Sequence, residues 1–233
     1  MKKDSEWNSR DTWKTLDRKG KIQFFKDYYL WPCVGIVVVA AVLINLIWHM
    51  LFPKPGAELY VAVYDITLDE TEVESLKEQM AAEIGNGVKP DQIVIDDTYR
   101  SGNINDEQRL QVFVANHSVD VIIADDERTA ELAGFGYFAD VNELIDADLV
   151  KSLDGNGKLL MNPGFDSEYE GISIDDNGNG RGEKLPYSVI IDDSKEWKAL
   201  AGEFSSDYCD FSVVAGCDHP ENAKRFLEKL ILK

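Results

Sequence analysis

Val119-Asp120-Val121-Ile122-Ile123-Ala124 (VDVIIA, residues 119–124) decides the fold. Apart from the aspartate it is apolar at every position. A half-exposed strand would alternate, so this run reads as a strand covered on both faces at the centre of a sheet. Working outward, Asp106–Asn116 places Leu110, Phe113 and Val114 on one helical face, and a helix through Ala130, Leu132 and Ala133 follows the run. Further toward the amino terminus, Leu59–Tyr64 is a short β-rich run. Asp69–Ile84 then carries Val73, Leu76, Met80, Ala81 and Ile84 at helical spacing. Asp69 with Glu72 forms a capping pair, Gly85 and Gly87 stop the helix, and Ile93–Ile95 is another strand. Three strand–helix repeats predict an α/β, three-layer domain with a mainly parallel sheet and right-handed crossovers.

The second half is less regular. Val141–Leu153 reads as a helix ending at the turn Asp154-Gly155-Asn156-Gly157. Tyr169–Ile174 and Tyr187–Ile191 read as an antiparallel strand pair joined by a glycine-rich loop. Ser194–Phe204 is a short helix, Phe211–Ala215 a buried strand, and His219–Leu232 an amphipathic helix with Pro220 in its first turn. Cys209 and Cys217 flank the Phe211–Ala215 strand. An extended chain holds them about 26 Å apart, against the ~7 Å limit for a disulfide, so two free thiols are expected.

Leu30–Phe52 contains no Asp, Glu, Lys or Arg, and as a helix it would reach about 34 Å. That length predicts a transmembrane helix, with Tyr28, Tyr29, Trp31 and Trp48 at its edges. A cleaved signal peptide is the rival reading; the 29-residue head and the long apolar run speak against it. The implied organisation is a basic, aromatic cytoplasmic juxtamembrane segment (1–29), the span (30–52), a linker (53–56) and an extracytoplasmic α/β domain (57–233). The net charge is −19; eight basic and five acidic residues precede the span, leaving −22 beyond it. The positive-inside rule then puts the amino terminus in the cytoplasm of a single-pass cell-membrane protein, with the lipid bilayer as a partner. Nucleic acid is excluded as a partner of so acidic a body, because phosphate contacts need clustered Lys and Arg.

Two stretches carry a resemblance. In Gln108–Leu144, Asp120-Val121-Ile122-Ile123 is followed by Gly136-Tyr137-Phe138-Ala139-Asp140-Val141-Asn142-Glu143-Leu144. In Val213–Leu230, a strand is followed by Pro220, Glu221, Ala223, Phe226 and Leu230. Both resemble the bacterial extracellular solute-binding proteins, the periplasmic-binding-protein-like superfamily. The resemblance implies a ligand-binding or transport-accessory module. Complete members have two lobes and are nearly twice as long, so a one-lobed, reduced relative is implied. The alternative is a non-catalytic protein-interaction or structural domain of a membrane complex that has lost small-molecule binding.

In open α/β sheets, ligands settle beyond the carboxyl ends of the strands. Those ends supply Asp65 and Thr67, Asp96 and Tyr99, and Asp125 and Asp126 as candidate ligand-binding residues. Converging carboxylates favour a small cationic solute or peptide; the competing reading is that they cap helices. Asp175-Asp176-Asn177-Gly178-Asn179-Gly180 resembles the start of a calcium loop, but Pro186 stands where the bidentate glutamate belongs, so a glycine-rich hairpin is the preferred reading. The three histidines show no zinc spacing, and neither a nucleophile elbow nor a phosphate loop is present. No catalytic residue, metal or cofactor is expected.

Overall fold

The computed structural model describes residues 17–19, 21, 22, 26, 30–51, 56–169, 177–202 and 208–231. The chain divides into two compact units, Met1–Pro55 and Gly56–Lys233. The first contains helix α1 (Leu30–Leu51). Among the described residues no helix is long and apolar enough to cross a membrane. This finding corrects the expected transmembrane helix over 30–52. The single-pass topology, with a cytoplasmic amino terminus and an extracytoplasmic domain, goes with it. The expected juxtamembrane segment falls mostly outside the described residues, as does the linker except for Gly56.

The second unit is an α/β domain. In order it comprises β1 (Leu59–Tyr64), α2 (Glu70–Ile84), a 3₁₀ turn (Pro90–Gln92), β2 (Ile93–Tyr99), α3 (Ile104–Ala115), β3 (Val121–Ala124) and α4 (Asp126–Gly134). Then come α5 (Val141–Leu144), α6 (Ala147–Gly155), β4 (Leu159–Pro163), β5 (Lys184–Ile190), α7 (Lys195–Ala201), β6 (Asp210–Val213) and α8 (Pro220–Ile231). The six strands form one sheet in the order β2-β1-β3-β6-β5-β4. Strand β1 pairs in parallel with β2 and β3. The pairs β3–β6, β6–β5 and β5–β4 are antiparallel. The sheet is therefore mixed, which corrects the expected mainly parallel sheet. A run such as Phe211-Ser212-Val213-Val214-Ala215, apolar but for Ser212, marks a strand as buried without indicating its direction, and β6 enters the middle of the sheet opposed to β3.

Alternation along the central strands sorts side chains to two cores. Leu59, Val61 and Val63 join Leu76 and Met80 of α2, Trp197 of α7 and Phe226 and Leu230 of α8. Tyr60, Ala62 and Tyr64 face the other way, toward Leu110 of α3 and Leu132 of α4. Helix α2 starts because Asp69, extended at φ −72° and ψ 118°, accepts hydrogen bonds from the N–H groups of Thr71 and Glu72. It stops at Gly85, whose φ of 73° an L side chain rarely adopts. The expected Val141–Leu153 helix is two, α5 and α6, with Ile145 extended between them.

Strand β5 pairs antiparallel with Leu159–Pro163, a strand the sequence reading did not anticipate. Tyr169 lies outside a strand and 170–176 fall outside the described residues, Asp175 and Asp176 of the calcium-loop reading among them. Within the remainder of that loop, Gly178 O accepts from Asp166 N and Gly182 N donates to Gly164 O. A Cβ at Gly178 would come within 2.1 Å of the Asp166 carbonyl oxygen, so close backbone approach accounts for glycine there. No disulfide joins Cys209 and Cys217.

Candidate functional site

The carboxyl ends of β1, β2 and β3 share one rim, but the fold itself uses most of the polar groups expected there. Asp65 sits in the left-handed region at φ 57°, and both its carboxylate oxygens accept from the N–H of Ser101, at 3.1 and 3.2 Å. Thr67 is exposed. Asp96 turns toward α3, accepting from Tyr60 Oη at 2.8 Å and from the Thr98 hydroxyl at 2.6 Å, with Arg109 3.5 Å away. Burial works to raise its carboxyl, but the Thr98 and Tyr60 hydrogen bonds and the Arg109 charge together hold it below the ordinary carboxylate value. Tyr99 is fully buried beneath the Arg109 guanidinium, 3.8 Å from its ring centroid. Asp125 caps α4 by accepting from Arg128 N at 2.8 Å. Asp65, Asp96 and Asp125 are thus engaged by backbone N–H groups and neighbouring side chains of the fold.

Asp126 is the exception, and it leads to a residue the sequence reading missed. Asp210, at the start of β6 opposite Ala124, has no exposed surface, and neither of its oxygens reaches a hydrogen-bond donor. Burial first, then the Asp126 carboxylate beside it, push the Asp210 carboxyl up to about 8. The neighbouring Thr129 hydroxyl, itself buried, lowers it a little without closing a hydrogen bond. At neutral pH Asp210 is therefore a protonated acid whose O–H can be given to Asp126, a carboxyl–carboxylate contact at the β3–β6 junction.

Arg128 closes the same region. It is 7% exposed, lies over the Tyr64 ring, and donates to Glu107, to Glu131 at 2.6 Å and to Tyr64 Oη at 3.3 Å. Both terminal nitrogens of this guanidinium are thus committed to the fold, while its Nε is buried without a partner among the described residues.

The concave feature with uncommitted charge lies at the other end of the sheet, at the amino ends of β1 and β3. It is a half-open cavity of about 480 Å³. Tyr60 and Phe113 form an aromatic wall, with ring centroids 5.3 Å apart and planes at 90°. Asp120 lies at its base, 1% exposed, accepting from Tyr60 N at 2.8 Å and His219 N at 3.1 Å, with His219 Nδ1 at 3.4 Å. Burial raises the Asp120 carboxyl against the pull of those contacts. Glu58, Asp218, His117 and His219 complete the polar lining. Glu58 lies 3.9 Å from His219 Nε2.

In two other depressions the lysines are paired within the fold. In one, Asp97 accepts from Leu68 N and Lys77 pairs with Glu74. In the other, Lys158 is held by Asp192 and Asp193. Among the described residues no group of three or more His, Cys, Asp or Glu side chains is arranged to hold a metal ion. The cavity was hidden from local motifs because its walls come from the starts of β1 and β3, the end of α3 and the turn before α8. One signal was available: Asp120, a lone charge opening an apolar strand.

No family model, no curated protein and no solved structure matches this chain.

Proposed function

We propose that the Gly56–Lys233 unit is a non-catalytic, solute-binding-like module: a one-lobed, reduced relative of the bacterial extracellular solute-binding proteins that takes a small molecule. The observation that carries this is the cavity beside Asp120, whose volume falls within the range of small-molecule sites and whose carboxylates and aromatic wall converge on open space. The arrangement of the two resembling stretches supports the family reading. Asp120 accepts from His219 N, Phe138 bridges to Val214, and Ala215 N donates to Tyr137 O at 2.8 Å, so the stretches form one packed unit. The test is a thermal-shift screen of the full chain against sugars, peptides, amines and Ca²⁺. A solute that raises Tm and loses its effect in Phe113→Ala supports the reading, and stabilisation by none counts against it.

A second reading, a protein-interaction domain, has one observation in its favour. Phe135, Met161 and Phe165 are large apolar side chains with 36%, 42% and 43% exposure, and Phe165 packs beside Gly136 next to Phe135. A co-purifying partner lost on Phe165→Ser with unchanged Tm would favour it.

A further inference from the structure

We infer that the cavity between β1, α3 and the β6–α8 turn is selective for a small organic cation with an apolar body, the class of aralkyl primary amines. The inference rests on the reading of this cavity as the solute site. The sign of the charge comes first. Glu58, Asp120 and Asp218 line the cavity, and among the described residues no Lys or Arg does. Asp120 is already engaged by two backbone N–H groups and by His219. Glu58 has an imidazole nitrogen at 3.9 Å, and Asp218 is exposed with no hydrogen bond or ion pair among the described residues. An ammonium placed between Glu58 and Asp218 would gain one carboxylate that has no partner among the described residues and a second whose nearest partner is an imidazole nitrogen 3.9 Å away. An anion would meet like charge, and among the described residues the side-chain donors there are the imidazoles, Ser118 and the Tyr60 hydroxyl, which is already given to Asp96.

The wall supplies the second requirement. Tyr60 is anchored by its hydroxyl on Asp96, so its ring is held against Phe113, leaving an apolar surface beside the carboxylates. Such a surface takes the body of an amphiphilic amine, and an aromatic face attracts a nearby cation. The −22 charge of residues 53–233 raises the local concentration of cations at the mouth.

The experiment uses the full-length chain at 150 mM salt and three matched probes, phenethylamine, 2-phenylethanol and phenylacetate, followed by calorimetry and by ¹H–¹⁵N shift mapping. Binding of phenethylamine alone, with shifts at Glu58, Phe113 and Asp218, supports the inference. Glu58→Gln and Asp218→Asn should each weaken it about three- to tenfold and leave Tm of the free chain unchanged. Asp65→Asn at the opposite rim should not weaken it. Phenylacetate or phenylethanol binding equally well in the cavity overturns the cation assignment while leaving the cavity a solute site. Binding of none of the three overturns both, as does phenethylamine binding that maps elsewhere.

Discussion

Asp210→Asn tests the buried carboxyl at the β3–β6 junction. In the folded chain Asp210 is held protonated up to about pH 8, against an ordinary value of 3.8 when exposed. A folded value above the unfolded one means that the associated stability is complete below about pH 4. It is lost progressively as pH rises and is gone above about pH 8. Between pH 5 and 8 the loss is on the order of 4 kcal/mol at 1.36 kcal/mol per unit, as an upper bound, because water entry around the ionised carboxylate reduces it. Half of that, about 2 kcal/mol, lowers Tm by about 4–8 °C in a domain of this size. Asparagine keeps the shape and can still donate to Asp126, but it does not titrate. Scanning calorimetry of both proteins from pH 5 to 9 should show nearly equal Tm at pH 5 and a variant several degrees more stable at pH 9. Parallel Tm–pH curves would refute the reasoning.

Other perturbations have equally direct readouts. Asp69→Ala removes the acceptor for Thr71 N and Glu72 N and should cost about 1 kcal/mol in urea unfolding. Arg128→Met strands the Glu107 carboxylate and should cost about 3 kcal/mol by the same assay. Phe226→Ala, emptying a site 1% exposed against Phe211, should cost about 3–5 kcal/mol and leave the far-UV spectrum of the surviving folded fraction unchanged. Asp125→Ala should lower stability by about 1 kcal/mol through the lost α4 cap, with no change in amine affinity measured by calorimetry.

What the sequence shows plainly are features set by a few neighbouring residues. The VDVIIA run is a fully buried strand, Asp69 and Gly85 bound α2, and Pro220 opens α8. Strand β4 was missed because Leu159–Pro163 neither alternates nor stays apolar: it is an edge strand of half-exposed positions ending in proline. The direction of β6 depends on pairings with β3 and β5 that no local pattern encodes. The rim acids were legible as residues at strand ends, but not their orientations. Whether Asp96 faces solvent or α3 is decided by Tyr60 and Arg109, which are distant in sequence. Asp210 looked like an ordinary polar residue before a strand, since its partner Asp126 precedes it by 84 positions.

The outermost strands of the described sheet carry a consequence of their own. On one side β4 ends at Pro163 and its pairing slips at Leu160/Met161; on the other, β2 carries Asp96-Asp97 and its register with β1 breaks between Ala62 and Tyr64. A strand arriving from another molecule would find a missing N–H donor on one flank and adjacent negative charges on the other. Among the described residues, each flank thus carries a feature that opposes growth of the sheet by strand addition.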